Sequence, residues 1–331
     1  MIEVSGLSKT YHVSKKQPGF WGSVRSLVRR EWVSKHALKD VSFSVGEGEI
    51  VGLIGANGAG KTTLSKILSG IVHPSSGEAT VLGHKPWERH NDFRQQISLI
   101  MGQKAQLWWD LPAADCFLLL KEIYQLDAQQ FQRTLDELAS MLGVTAQLNV
   151  QIRRLSLGER MKMELIAALL HQPRVVFLDE PTIGLDLTAQ RAVREFLLHY
   201  RQEHQPAMLL TSHYMEDIER LCERIVILRE GELVYDGTLQ RVRETYADRK
   251  LLVAHLREAS PDFTLPEALS GCENVTISDA ELKMEVPRAL VSEAAAYVLR
   301  ELPVHDLNIE EPEIGAVIER IMTDRAPELS P

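Results

Sequence analysis

The run Ile50-Val51-Gly52-Leu53-Ile54, followed by Gly55-Ala56-Asn57-Gly58-Ala59-Gly60-Lys61-Thr62 and Thr63, decides how the rest of the chain is read. An uninterrupted apolar run suits a strand buried on both faces. The next eight residues fit G-x-x-x-x-G-K-[S/T], and a helix is predicted from Gly60 to a left-handed stop at Gly70. Strand, glycine-rich loop and helix in that order make a phosphate cradle. The glycines let the backbone curl so that successive N–H groups point at phosphate oxygens. The helix adds its positive N-terminal end. Lys61 reaches the β- and γ-phosphates, and the Thr62 hydroxyl offers Mg2+ a hard oxygen ligand.

A second element has matching chemistry. Arg174-Val175-Val176-Phe177-Leu178-Asp179-Glu180 is an apolar strand that ends in two carboxylates. Beside a phosphate loop, Asp179 is placed to hold Mg2+ through water. Glu180, one residue on, can take a proton from, or orient, the water that attacks a γ-phosphate. Between the two elements, Leu155-Ser156-Leu157-Gly158-Glu159-Arg160 opens a helix 23 residues before Asp179. Ser156 and Glu159 have the spacing of a capping box.

This order of phosphate loop, signature helix and Asp-Glu strand resembles the nucleotide-binding subunits of ATP-binding cassette (ABC) transporters over residues 1–240. Trp108-Trp109-Asp110-Leu111-Pro112 and an insert at 14–36 are similar to the ATPase subunits of type-2 drug or viologen exporters. The resemblance implies a P-loop NTPase core of α/β class with an inserted helical subdomain at about 104–162. It implies ATP and Mg2+ as ligands, with Gly55, Ala56, Asn57, Gly58, Ala59, Gly60, Lys61, Thr62 and Thr63 around the phosphates. Tyr11 matches the aromatic that stacks on adenine. Gln103 matches the Q-loop residue that senses Mg2+ and γ-phosphate, so Thr62, Gln103 and Asp179 form the implied metal set. Gly184-Leu185-Asp186 matches the D-loop at a dimer interface, and His213 matches the switch histidine on the γ-phosphate, joining Glu180, Lys61 and Gln103 in hydrolysis. In this family the signature turn, here Ser156 and Gly158, binds the nucleotide held by a second subunit.

The signature departs from the commoner L-S-G-G-Q. Leu157 stands where glycine is usual and Glu159 where glutamine is usual. Glu159 would set a negative charge beside a triphosphate unless its side chain turned away, so the turn is assigned a backbone role.

Working outward, 331 residues suggest two domains. With 25% charged and 44% hydrophobic residues the composition is that of a globular protein. Three scattered cysteines, with no C-x-x-C pair, read as reduced thiols of a cytosolic protein. No apolar run approaches the ~20 residues that span a bilayer, so this polypeptide alone makes no transmembrane pathway. Net charge is −9, the wrong sign for a protein that coats nucleic acid. Residues 9–36 nevertheless carry a net +6, whereas residues 251–331 carry −10.

Short buried strands alternating with helices to about residue 246 argue for an α/β sandwich around a largely parallel sheet. Helical periodicity is predicted over 113–145, 158–171, 187–203 and 214–222, with a hairpin about Glu230-Gly231. Residues 247–331 read as a separate small α+β domain: strands at 250–256, 274–279, 281–286 and 304–309, helices at 289–301 and 312–322. That domain has no catalytic constellation and is read as structural or dimerising, with regulation and cargo binding as alternatives.

Within the insert, Phe20, Trp21, Val24, Leu27, Val28 and Trp32 recur at helical spacing among Arg25, Arg29 and Arg30. Such a basic amphipathic helix suits anionic lipid or a permease surface, and equally packing on the protein's own sheet. Trp108-Trp109 suit either a permease contact or a core position. The partners implied are integral-membrane permease subunits and a second ATPase subunit, like or unlike, with the chain peripheral on the cytoplasmic membrane face and no nucleic acid bound. Two other family roles stand beside the exporter reading: a polysaccharide-exporter ATPase, and a soluble cassette ATPase acting on ribosomes or nucleic acid. Against a ribosomal role, one cassette is found where such members usually join two; against a DNA-repair role, only 118 residues separate Lys61 from Asp179, with no long heptad run between them.

Overall fold

The computed structural model describes residues 1–14, 32–102, 105–245, 249–258, 264–278, 280–311 and 314–323. Its strands are β1 (Ile2–Ser14), β2 (Trp32–Val45), β3 (Ile50–Ile54), β4 (Ser76–Val81), β5 (Ile97–Met101), β6 (Val175–Asp179), β7 (Ala207–Thr211), β8 (Arg224–Arg229), β9 (Glu232–Thr238), β10 (Arg249–Leu256), β11 (Glu273–Ser278), β12 (Glu281–Pro287) and β13 (Val304–Glu310). Its helices are α1 (Lys61–Leu68), α2 (Asn91–Arg94), α3 (Ala113–Tyr124), α4 (Ala128–Met141), α5 (Leu157–Leu169), α6 (Leu187–His204), α7 (Met215–Leu221), α8 (Leu239–Thr245), α9 (Val291–Glu301) and α10 (Ile314–Thr323).

The chain divides into two compact units, with the break between Gly237 and Thr238. In the first, β5-β6-β7-β3-β8-β9 form one sheet and β2-β1-β4 an antiparallel one. Neighbours from β5 to β8 run parallel. The central strands β3 and β7 are buried at every position, as their continuous apolar sequences require. Helix α1 packs between the sheets: Leu64, Ile67 and Leu68 share one core with Leu7, Leu38 and Val41 on one side and Val51, Phe177 and Leu209 on the other. Each such fully buried side chain contributes roughly 1.5–3 kcal/mol. The consequence for function is positional. Strands β3, β7 and β6 lie side by side, so the loops leaving their carboxyl ends open together at one rim of the sheet.

The second unit has the antiparallel order β11-β12-β10-β13. Leu282, Met284 and Val286 alternate along β12 and face a core shared with Leu252 and Ala254 of β10 and with Ala294 and Val298 of α9. That period of two is what a strand buried on one face requires.

Three expectations are corrected. The predicted boundary at 246/247 moves to 237/238, because α8 belongs to the second unit, where it packs on α10. The continuous helical stretch 113–145 is two helices: Gln125 takes a left-handed φ of 55°, and the Asp127 side chain caps α4 by accepting from Gln129 N and Gln130 N. The expected insert of 14–36 is shorter, since β1 continues to Ser14 and β2 begins at Trp32, the two residues facing each other across the ladder. Trp32 is therefore a strand residue and not part of a helix. Phe20, Trp21, Val24, Leu27, Val28 and the arginines between them lie outside the described residues. No helix among the described residues is long and apolar enough to cross a membrane.

Candidate functional site

The glycine-rich loop leaves β3 and curls through positive φ at Gly58 (86°) and Gly60 (112°). A Cβ at Gly60 would lie 2.5 Å from the Ala37 carbonyl oxygen, so only glycine lets the loop pass β2 this closely. At Gly58 a Cβ would meet nothing within 4 Å, which leaves the concave side open. The cleft measures about 210 Å3 and is lined by Tyr11, Lys35, Ala37, Asn57, Gly58, Gly60, Lys61, Thr62, Thr63 and Glu180. Tyr11 and Lys35 face each other across β1 and β2, and the antiparallel sheet supplies that wall.

Lys61 is buried, and its Nζ donates to the carbonyl oxygens of Gly55 at 2.5 Å and Ala56 at 3.3 Å. Burial lowers its pKa, and the negative charges of Glu180 and Asp179 partly oppose that shift. A desolvated ammonium held by two backbone carbonyls suits an anionic ligand, which would replace weak dipoles with full charges. The Thr62 hydroxyl donates to Asp179 Oδ2 at 3.2 Å, and the Thr211 hydroxyl to Asp179 Oδ1 at 2.7 Å. Thr62 and Asp179 thus present hard oxygens side by side, a donor set that fits Mg2+ once phosphate and water supply the remaining positions.

Glu180 has φ of 58°, a left-handed conformation uncommon outside glycine. Its N–H donates to both the carbonyl and the hydroxyl oxygen of Thr211 at the end of β7. The turn redirects the chain after β6 and sets Glu180 Oε1 2.8 Å from His213 Nε2. A carboxylate oxygen at that distance can accept a hydrogen bond from the imidazole. The arrangement can accept a proton at Glu180 and donate one from His213.

Ser156, Gly158 and Asp186 are gathered elsewhere on the same unit. They line a second cleft of about 570 Å3 with Lys162, Leu187 and Ala189. The capping box forms: Ser156 N and Oγ donate to Glu159 Oε2 at 2.9 and 2.8 Å, and Ser156 Oγ accepts from Glu159 N at 3.2 Å. The Ser156 backbone N–H, with the hydroxyl beside it, holds the Glu159 carboxyl below the usual carboxylate range. Asp186 Oδ1 caps α6 through Ala189 N at 2.8 Å. A Cβ at Gly158 would come within 3.1 Å of Ala189 Cβ, so glycine permits this close approach of the two turns.

The two clefts share no lining residue. One chain therefore brings together Tyr11, the phosphate loop and Glu180, but does not bring Ser156, Gly158 or Asp186 to them. Gln103 lies outside the described residues. Lys35, Gly102 and Thr211 were missed by reading the sequence. Thr211 passes for an ordinary β-branched strand residue. Gly102 allows β5 to end against Glu180, whose carbonyl oxygen a Cβ would meet at 2.0 Å.

Comparison with known proteins bears on the family and the fold. The family described as "ABC transporter" matches residues 38–183, and the family "EvrA-like ABC transporter, C-terminal domain" matches residues 250–310. The ABC transporter ATP-binding protein NatA of Bacillus subtilis is 32% identical over 63% of this chain and 85% of its own length. The linearmycin resistance ATP-binding protein LnrL of the same organism is 28% identical over 85% of this chain and 90% of its own. A solved structure of an ATP-binding subunit of an ABC transporter superposes with a TM-score of 0.62 and 28% identity, covering 74% of this chain and 93% of that one. On its phosphate loop, its sheet order and these likenesses, the chain belongs to the ATP-binding, ATP-hydrolysing subunits of ABC transporters.

Proposed function

We propose that the chain works as one of a head-to-tail pair of ATPase subunits that drives a separately encoded permease, in the direction of export. The observation that supports the pairing is the separation of the two clefts. A nucleotide on Lys61 of one subunit would meet Ser156 and Gly158 of the other, so each of two sites would be built from both chains. Within a site, Lys61 and the N–H groups from Gly55 to Thr63 hold the phosphates, Tyr11 stacks on adenine and Lys35 adds positive charge. Thr62 and Asp179, with Gln103, would hold Mg2+, whose charge would offset that developing on the phosphate oxygens. Glu180 takes a proton from the attacking water, and His213 donates to the γ-phosphate.

A permease contact is supported by an outward apolar face. Trp108 and Trp109 are 44% and 52% exposed, and Leu118, Leu119 and Ile123 of α3 are exposed as well. Arg160 stacks over Trp109 at 5.2 Å, which orients the indole without covering it. Apolar surface of this kind is kept for a partner. Likeness to a linearmycin resistance protein favours export. The test is affinity purification of the full chain from detergent-solubilised membranes, beside a Trp108→Asp/Trp109→Asp variant. A multi-span membrane protein should co-purify with the unaltered chain and be lost with the variant. Recovery of ribosomal proteins instead, or equal recovery of the membrane protein by both, would contradict the proposal.

A further inference from the structure

Behind the loops that carry Glu180 and His213 lies a buried polar cluster that takes no part in holding phosphate. Asp217, fully buried in the first turn of α7, accepts through Oδ2 from the Thr182 hydroxyl and, at 2.6 Å, from the Ser212 hydroxyl. Thr182 follows Glu180 by two residues, and Ser212 precedes His213 by one. A single carboxylate oxygen therefore ties together the two loops that carry Glu180 and His213.

The other oxygen faces α6. Arg194, 4% exposed, places Nε 3.0 Å from Asp217 Oδ1, an ion pair by distance although its N–H points off the line of the bond. The same guanidinium reaches Glu216 at 2.5 Å and donates to Gln190 Oε1 at 3.2 Å. Gln190 Nε2 donates in turn to the carbonyl oxygen of Leu185 at 3.1 Å, one residue before Asp186. A continuous polar chain thus runs from the Asp186 turn to the Glu180–His213 contact.

Stability alone is a poor explanation for the cluster. The desolvation cost of burying a carboxylate and a guanidinium consumes most of their attraction, and apolar residues of similar volume usually serve a core as well or better. What apolar residues could not supply is a directional hold on two separate loops. The two hydroxyl bonds to Asp217 Oδ2 supply such definition, since each fixes an angle as well as a distance, while the guanidinium beside Oδ1 balances the buried charge.

We propose that Asp217, held by Arg194, is a positioning residue for ATP hydrolysis, gripping Thr182 and Ser212 so that His213 stays against Glu180. The inference rests on the reading of Glu180 and His213 as the hydrolytic pair. Asp217 is fully buried, is not among the residues that line the cleft, and acts only through the loops it binds.

The test uses the full chain with ATP and Mg2+, and measures kcat and KM for Asp217→Asn, Thr182→Val and Thr182→Ser. Displacing a reacting group by a fraction of an ångström to one ångström costs up to ~10²-fold, so kcat should fall about 10- to 100-fold in Asp217→Asn and Thr182→Val with KM within about twofold. Thr182→Ser keeps the hydroxyl and should recover kcat to within about threefold. In a His213→Ala background, Asp217→Asn should cost less than about a further twofold, because the side chain it positions is gone. Unchanged kcat in Thr182→Val and Asp217→Asn would overturn the proposal, as would equal losses with and without His213. A merely structural cluster would lower the melting temperature and leave kcat of the folded protein intact, which also counts against it. Should Asp217→Asn fail to fold, the Thr182 pair decides, since it leaves the ion pair in place. Glu180→Gln in the same series separates two failures: if it retains turnover, the reading of the hydrolytic pair falls, whereas if it alone is inactive only the positioning role falls.

Discussion

Replacing Glu180 by glutamine should lower ATP turnover by about 10²- to 10⁴-fold while leaving ATP affinity within a few fold, because general-base assistance is worth that much and binding does not depend on it. Glutamine has the same size and can still accept a hydrogen bond from His213 Nε2, which lies 2.8 Å from the carboxylate. It cannot take the proton of the attacking water. Nucleotide would then be held without being cleaved, and the paired state should accumulate, visible as a dimer by sedimentation in the presence of ATP. Near-normal turnover of the variant, measured as phosphate release, would refute the assignment.

Lys61→Ala should act earlier, on binding itself. Lys61 is the buried cation of the loop, and a charge-assisted contact to phosphate contributes roughly 1.5–3 kcal/mol, which corresponds to an ATP Kd weaker by about 10- to 100-fold. Turnover should fall with it. Burial lowers the Lys61 pKa from the ordinary 10.5, so the ammonium loses its proton at a lower pH than an exposed lysine would. ATP affinity of the unaltered chain should therefore weaken as pH rises, beginning below 10.5, although bound phosphate opposes the shift by favouring the charged form. Fluorescence titration with a labelled ATP analogue across the alkaline range reads both effects. Affinity that is flat with pH and indifferent to Lys61 would show that the loop does not hold the phosphates.

Features with local causes were readable from the residues. The apolar β3, the glycine spacing that follows, the strand ending in Asp179 and Glu180, and the Ser156–Glu159 box each depend on neighbours within a few positions, and each stands where the spacing placed it. The strands of the second unit also lie within about a residue of the ranges expected at 250–256, 274–279, 281–286 and 304–309.

Features with distant causes were not. Thr211 matters because β7 lies beside β6 and pairs Thr211 with Asp179, a neighbour 32 positions away. Lys35 reaches the cleft only because β2 pairs with β1 across the insert, so an interruption in the pattern concealed a continuous ladder. Trp32 has the spacing of a helix but the pairing of a strand, and tertiary hydrogen bonding decided between them. The Asp217 cluster draws on two loops and two helices, and nothing in the local order Tyr214-Met215-Glu216-Asp217 marks the last as buried and the one before it as exposed. The domain boundary moved because α8 is held by α10, more than sixty residues further on.

The most direct measurement is calorimetric titration of the purified full chain with ATP in the presence of Mg2+. Saturable uptake of one nucleotide per chain is expected, with the Kd about 10- to 100-fold weaker in Lys61→Ala. A chain that is folded by circular dichroism yet gives no saturable heat with ATP would contradict the assignment of the Gly55–Thr63 loop, and with it the hydrolytic roles given to Asp179, Glu180 and His213.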